Sequence, residues 1–131
     1  MKNIGVSQKV IIINKENKIL SLRRSKTHPH KPFSWDLPGG DLDFGEDPTQ
    51  GIIRETKEEA GLDIYDISPF DVEAHITPDQ NFWITIAYTA KCDSKDVVLS
   101  YEHDQFKWLN REEFLLLDSS PKLQRFIKRL T

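Results

Sequence analysis

Apolar and polar positions set the elements of this chain before any single residue stands out. Residues 6–13 close on the apolar run Val10, Ile11, Ile12 and Ile13, and residues 14–18 are polar. Residues 19–23 then alternate, so the pattern predicts two strands joined as a hairpin. Residues 25–33 hold two histidines and two prolines and read as a loop, and 35–37 as a short strand closed by Pro38-Gly39-Gly40. The next element is bracketed at both ends. Asp47 is a good N-cap, Pro48 suits the first helical position, Gln50 stands where a capping-box partner belongs, and Gly61 is a natural C′ residue. A helix over 48–60 follows, with Ile52, Ile53, Thr56 and Ala60 at the spacing of a core-facing stripe.

Strand-like runs come next at 63–67, 70–76, 82–92 and 105–109. Asn110 with Glu113 forms a capping-box signature for a short helix ending near Leu117. Ser120-Pro121 opens a last helix whose Leu123, Phe126, Ile127 and Leu130 form an apolar stripe. Sheet, one inserted helix, more sheet and then helices make an α+β fold, a mixed sheet flanked by helices. With no linker, repeat or low-complexity stretch, residues 1–131 are expected to form one domain.

Composition narrows the setting. A hydrophobic fraction of 37% with 30% charged residues is globular rather than disordered, and no apolar run approaches membrane-spanning length. The opening stretch from Met1 to Gly5 lacks an apolar signal region, and Cys92 has no second cysteine to pair with, so a reducing, cytoplasmic setting is expected. A net charge of −3 argues against a nucleic-acid-coating surface and leaves room for a small phosphorylated partner. Such a partner needs local positive charge, which a metal ion supplies compactly. A homodimer is compatible with all of this.

The chemistry-bearing signal lies on the predicted helix. Glu55, Glu58 and Glu59 fall at i, i+3 and i+4 and share one face. They repel one another, and Glu58 and Glu59 sit in the last turn, where the helix dipole disfavours negative charge. Stability alone would favour lysine there. A compact acidic cluster at the wrong end of a helix, preceded by a glycine turn, points to a hard cation held by oxygen ligands, magnesium above all. Asp41-Leu42-Asp43-Phe44-Gly45 has the look of a calcium loop, but its twelfth position is Ile52 where a glutamate is required.

These residues fit a known pattern. Gly40, five residues, Glu46, seven residues and then Arg54-Glu55-Thr56-Lys57-Glu58-Glu59-Ala60-Gly61-Leu62 resembles the Nudix box of the Nudix hydrolases. Thr56 is the one departure, standing where that family has an aliphatic residue. The preceding Trp35-Asp36-Leu37-Pro38-Gly39-Gly40 and the later Glu102-His103-Asp104-Gln105-Phe106-Lys107-Trp108-Leu109 are similar to segments many members carry. The resemblance implies an αβα sandwich and hydrolysis of a nucleoside diphosphate linked to another moiety, by water attack on phosphorus. It implies magnesium or manganese held by the Gly40 carbonyl, Glu55, Glu58 and Glu59, with Glu102 a further ligand or the general base and Glu55 the competing base. Arg54 would orient the glutamates, and Glu46 would anchor the loop to the helix.

Several other residues carry weaker expectations. Arg23 or Arg24, at a strand end, could meet a substrate phosphate, and Trp83 could stack on a base; Arg23 and Trp83 are the substrate-binding candidates. His28 and His30 are expected to be solvated loop residues, and Lys122, Arg125, Lys128 and Arg129 the solvated back of the last helix. The substrate is expected to be a nucleoside triphosphate or similar metabolite, with an ADP-sugar or dinucleoside polyphosphate as the alternative. A nucleotide-binding regulatory module without turnover is the contrasting class, and the intact glutamate set counts against it. A Nudix-fold isomerase would want a cysteine near the box, which Cys92 is not.

Overall fold

The structure is a computed structural model that describes residues 3–131, so Met1 and Lys2 of the opening stretch lie outside the described residues. Ten elements follow in chain order. They are β1 (Ile4–Ile13), β2 (Ile19–Arg24), β3 (Trp35–Asp36), β4 (Gly39–Asp41), α1 (Pro48–Ala60), β5 (Tyr65–Ile76), β6 (Phe82–Lys91), β7 (His103–Leu109), α2 (Arg111–Leu115) and α3 (Pro121–Lys128).

β1 is the spine, because it is apolar on both faces. Val10 and Ile12 project into one core with Leu20, Leu22, Ile52, Ala60 and Tyr88, which α1 covers. Ile11 projects into a second core with Leu37, Ala87, Phe114, Phe126 and Ile127, which α2 and α3 cover. A strand buried on both faces is continuous in its hydrophobicity rather than alternating. A mixed sheet with helices on both faces is the expected αβα sandwich.

β1 runs parallel to β6 in unbroken register from Ile4↔Phe82 to Ile13↔Lys91. β6 in turn carries β5 antiparallel. The other edge of β1 forks. Its start takes β4, with Ser7↔Asp41 and Lys9↔Gly39, and its end meets β2 at a single pair, Ile13↔Ile19. The expected hairpin is therefore a brief junction, and β2 diverges to pair with β3 and β7. The runs at 63–67 and 70–76 fuse into one bulged strand, β5, whose register shifts around Pro69. The Gly39-Gly40 turn is itself the short strand β4.

α1 begins and ends where its caps dictate. Asp47 accepts from the Gln50 N–H at 3.0 Å, and Gly61 closes the helix at φ 69°, donating to the Lys57 carbonyl. Thr56 is fully buried and returns its hydroxyl to the Ile52 carbonyl at 2.8 Å, so the polar departure in the box costs no unsatisfied group. Among the described residues no helix is long and apolar enough to cross a membrane.

Candidate active site

A cleft of about 410 Å³ opens on the α3 side of the sheet. Register fixes its floor. Asp41, Ser7, Thr85 and Glu73 stand in one row across β4, β1, β6 and β5, and Trp83 and His75 stand in another. The Trp83 ring lies over Gly5, where a β-carbon would come within 2.5 Å of it.

The β4 end of the cleft is acidic. The Glu59 carboxylate is buried and accepts the Gly39 N–H at 2.8 Å. Burial, with Asp36 and Glu102 as nearby like charges, pushes its pKa up to about 8 despite Lys9 and the Gly39 hydrogen bond. Burial likewise raises Glu55, with Glu58 and Glu102 adding to the effect against Arg54. Glu102 reaches the same space from the turn before β7, beside Gly40 and Glu55.

Arg54 organises the helix acids. Its Nε and Nη2 donate to both oxygens of Glu46 at 2.9 and 3.1 Å, its Nη1 meets Glu58 at 3.2 Å, and its Nη2 lies 3.1 Å from Glu55. The Glu46 pair is the largest influence raising the guanidinium pKa further. Among the described residues no three His, Cys, Asp or Glu side chains converge into a closed cation cage. Glu58 is instead turned outward onto Arg54, with more than half of its side chain exposed. The donor set nonetheless suits a hard cation. Glu55, Glu59 and Glu102 supply oxygen ligands, and Glu59 is a buried acid whose ionisation calls for a counter-charge.

Gly39 and Gly40 separate two effects of adding a methyl group. At Gly39 a β-carbon would lie 1.9 Å from the Gln8 carbonyl oxygen, a clash with backbone, so Gly39→Ala should unfold or grossly destabilise the chain. At Gly40 the clash is with the Glu55 carboxylate, 2.6 Å away at the end of a flexible side chain. Gly40→Ala should keep a near-native melting temperature yet lose activity roughly 10-fold or more by displacing Glu55. Melting and turnover measured together on both variants check the distinction.

Beneath the acids lies a charged cluster that the sequence reading missed. Asp36 is buried. Burial works against its charge, but Lys9 Nζ at 2.9 Å and Arg24 Nε at 3.1 Å hold its carboxyl well below the usual range. His103 is also buried, with Nε2 3.9 Å from Asp36 and Nδ1 4.0 Å from Glu59, so both ring nitrogens lack a hydrogen-bond partner. A lysine immediately before the apolar run of β1, in a strand buried on both faces, was the available signal for this cluster.

The two arginines of β2 divide. Arg23 turns away from the cleft into a two-bond pair with Asp104 at 2.8 and 3.0 Å, its guanidinium over the Phe33 ring. Arg24 lines the cleft instead. His28 and His30 border it too, His30 exposed as expected and His28 half-buried; burial first, and then Arg24, lower the His28 pKa. Of the expected solvated face of α3, Arg125, Lys128 and Arg129 are exposed, and only Lys122 departs from it. Arg125 and Arg129 clamp the nearly buried Asp71 of β5, and Lys122 points into the cleft.

The comparisons with known proteins agree with this geometry. A family model described as NUDIX domain matches residues 4–130. The chain belongs to the NUDIX family. It is 32% identical over 87 residues to 8-oxo-dGTP diphosphatase of Proteus vulgaris, covering 66% of this chain and 74% of that one. It is 28% identical over 115 residues to the asymmetrical bis(5′-nucleosyl)-tetraphosphatase of Caenorhabditis elegans, covering 78% and 77%. The MutT protein from Methanosarcina mazei Go1 superposes with a TM-score of 0.83 at 30% identity, covering 98% of this chain and 93% of that one. This Nudix protein is a pyrophosphohydrolase, of a family that acts on small nucleotides.

Proposed function

We propose that this Nudix protein hydrolyses a nucleoside triphosphate, or a close relative of one, in a magnesium- or manganese-dependent reaction in which water attacks phosphorus. The observation that carries the reading is the pairing of Glu55, Glu59 and Glu102 at one end of a cleft with an aromatic floor at Trp83. The similarity to a protein named 8-oxo-dGTP diphosphatase supports the triphosphate, and the similarity to a dinucleoside tetraphosphatase keeps the dinucleoside polyphosphate as a second reading. We take residues 1–131 as one catalytic domain, and the lone Cys92 suits a cytoplasmic setting.

In this reading Glu55, Glu58, Glu59 and Glu102, with the Gly40 carbonyl, would hold the ions. Those ions supply charge neutralisation at the phosphate oxygens and a more acidic attacking water. Arg54 keeps Glu55 and Glu58 oriented through its pairs with them and with Glu46. Either Glu102 or Glu55 takes the proton from water; both border the cleft, and burial raises the pKa of Glu55. Arg24 replaces Arg23 as the arginine for substrate phosphate, since it faces the cleft. Trp83 offers its ring to the base.

A panel of nucleoside triphosphates, an ADP-sugar and a dinucleoside polyphosphate, read by phosphorus NMR, tests the reading. Release of a nucleoside monophosphate and pyrophosphate from triphosphates is expected, with Trp83→Ala weakening KM more than kcat. Cleavage of the dinucleoside or ADP-sugar alone would overturn the triphosphate assignment.

A further inference from the structure

Lys122 lines the cleft without a part in the reaction just described, and its surroundings are unusual. It sits in the first turn of α3, half-buried, and lines both the cleft and the smaller cavity beside it. Its only side-chain hydrogen bond among the described residues goes to Thr85 Oγ1 at 3.2 Å, and Thr85 is itself shared with Ser7 at 2.7 Å. No carboxylate lies within ion-pair distance among the described residues, although Lys9 and Arg24 stand close enough to add repulsion. Burial first, then Lys9, lowers its pKa against the opposing pull of Glu73 and Asp36. A desolvated ammonium with two unused N–H groups is costly unless something with lone pairs comes to it.

The register says what that something is. Three strand spacings separate β4, beside the acidic end, from β5, beside Lys122, a span of about 14 Å. With phosphates at the acidic end, a nucleoside laid across Trp83 brings its base to the far wall. That wall presents Lys122, the Ser120 hydroxyl and Glu73. Glu73 is largely buried, and its Oε1 is already engaged with His75 Nδ1 at 2.9 Å, which leaves a single carboxylate oxygen as acceptor. The wall is donor-rich, so it complements an edge rich in acceptors. An exocyclic carbonyl provides that edge, whereas an exocyclic amino group would turn its hydrogens toward the ammonium.

We propose that Lys122, with Glu73 beside it, reads the edge of the nucleobase and selects a base bearing a carbonyl over one bearing an amino group at that position. The inference rests on the reading that a nucleotide occupies the cleft, and binding separates the two, because it needs no turnover. Affinities for dGMP, dIMP and dAMP are measured by calorimetry without metal, on the wild type, Lys122→Met and Lys122→Arg. Methionine keeps the stem and the packing and removes the donors; arginine restores them. The wild type should bind dGMP and dIMP about 10-fold or more tighter than dAMP, the size of one well-made base-edge contact. Lys122→Met should bring the three within about 2-fold, and Lys122→Arg should restore most of the gap. Phosphorus NMR on the same variants should show Lys122→Met raising KM for dGTP with kcat nearly kept. Equal affinities in the wild type, a gap that survives in Lys122→Met, or dIMP behaving as dAMP would each overturn the proposal. Loss of triphosphate hydrolysis with the binding pattern intact would instead overturn only the assigned reaction.

Discussion

Glu58→Gln and Glu59→Gln should each lower turnover by roughly 10²-fold or more while leaving the chain folded. The two residues sit differently, which makes agreement between them informative. Glu58 is exposed and touches only Arg54, so its amide variant loses one surface ion pair, worth little to stability. Glu59 is buried against Gly39, and a glutamine there still offers an oxygen to the Gly39 N–H. Neither change opens a cavity, and an uncharged amide at either position in the last turn of α1 does not weaken the helix. A shared loss of activity with intact folding would therefore report on cation binding rather than on architecture. Turnover under saturating magnesium, beside a melting curve, checks it; near-wild-type rates in both variants would sink the mechanism.

The second large effect is a link between pH, metal and stability through Glu59. In the metal-free chain its carboxyl holds a proton up to about pH 8, whereas in the unfolded chain it releases that proton near the ordinary value of 4.5. The folded state therefore binds more protons between those limits, and the Glu59 contribution to stability must fall as pH rises through that window. At pH 8.5 the metal-free wild type should be less stable than Glu59→Gln by several degrees of melting temperature, a difference that closes toward pH 5. Magnesium must displace the same proton, so it should bind more tightly as pH rises toward 8 and release close to one proton per site at pH 7. The melting-point gain from millimolar magnesium should be larger at pH 8.5 than at pH 6.5, and the Glu59→Gln variant should flatten that dependence. Calorimetry in buffers of different ionisation enthalpy counts the proton; zero release at pH 7 would contradict a buried, protonated Glu59.

Much of this was legible in the sequence because it is local. Asp47, Pro48 and Gly61 bracket α1 through bonds made within a turn or two, and the structure keeps both ends of the helix as expected. The spacing of Glu55, Glu58 and Glu59 needs only helical geometry to be read. Failures came where distant strands decide. β1 and β2 look like a hairpin until β6, about seventy residues on, claims the whole length of β1 in parallel. The break between 63–67 and 70–76 looks like a turn, but Pro69 and its neighbours are absorbed as a bulge because β6 continues to offer partners. The cluster of Lys9, Arg24, Asp36 and His103 is assembled from four separate strands, so no spacing along the chain could announce it. Lys122 shares its helix with Arg125 and Arg129, and only the position of α3 over the sheet sends them to different places.

The central claim, metal-dependent attack of water on a nucleotide diphosphate linkage, is tested most directly by turnover in oxygen-18 water followed by phosphorus NMR, with magnesium present and again after chelation. The account predicts the label in one phosphate-bearing product, at one oxygen per cleavage, and only while magnesium is present. Label entering at an undiminished rate after chelation, or no label in any product of a cleaved nucleotide, would contradict it.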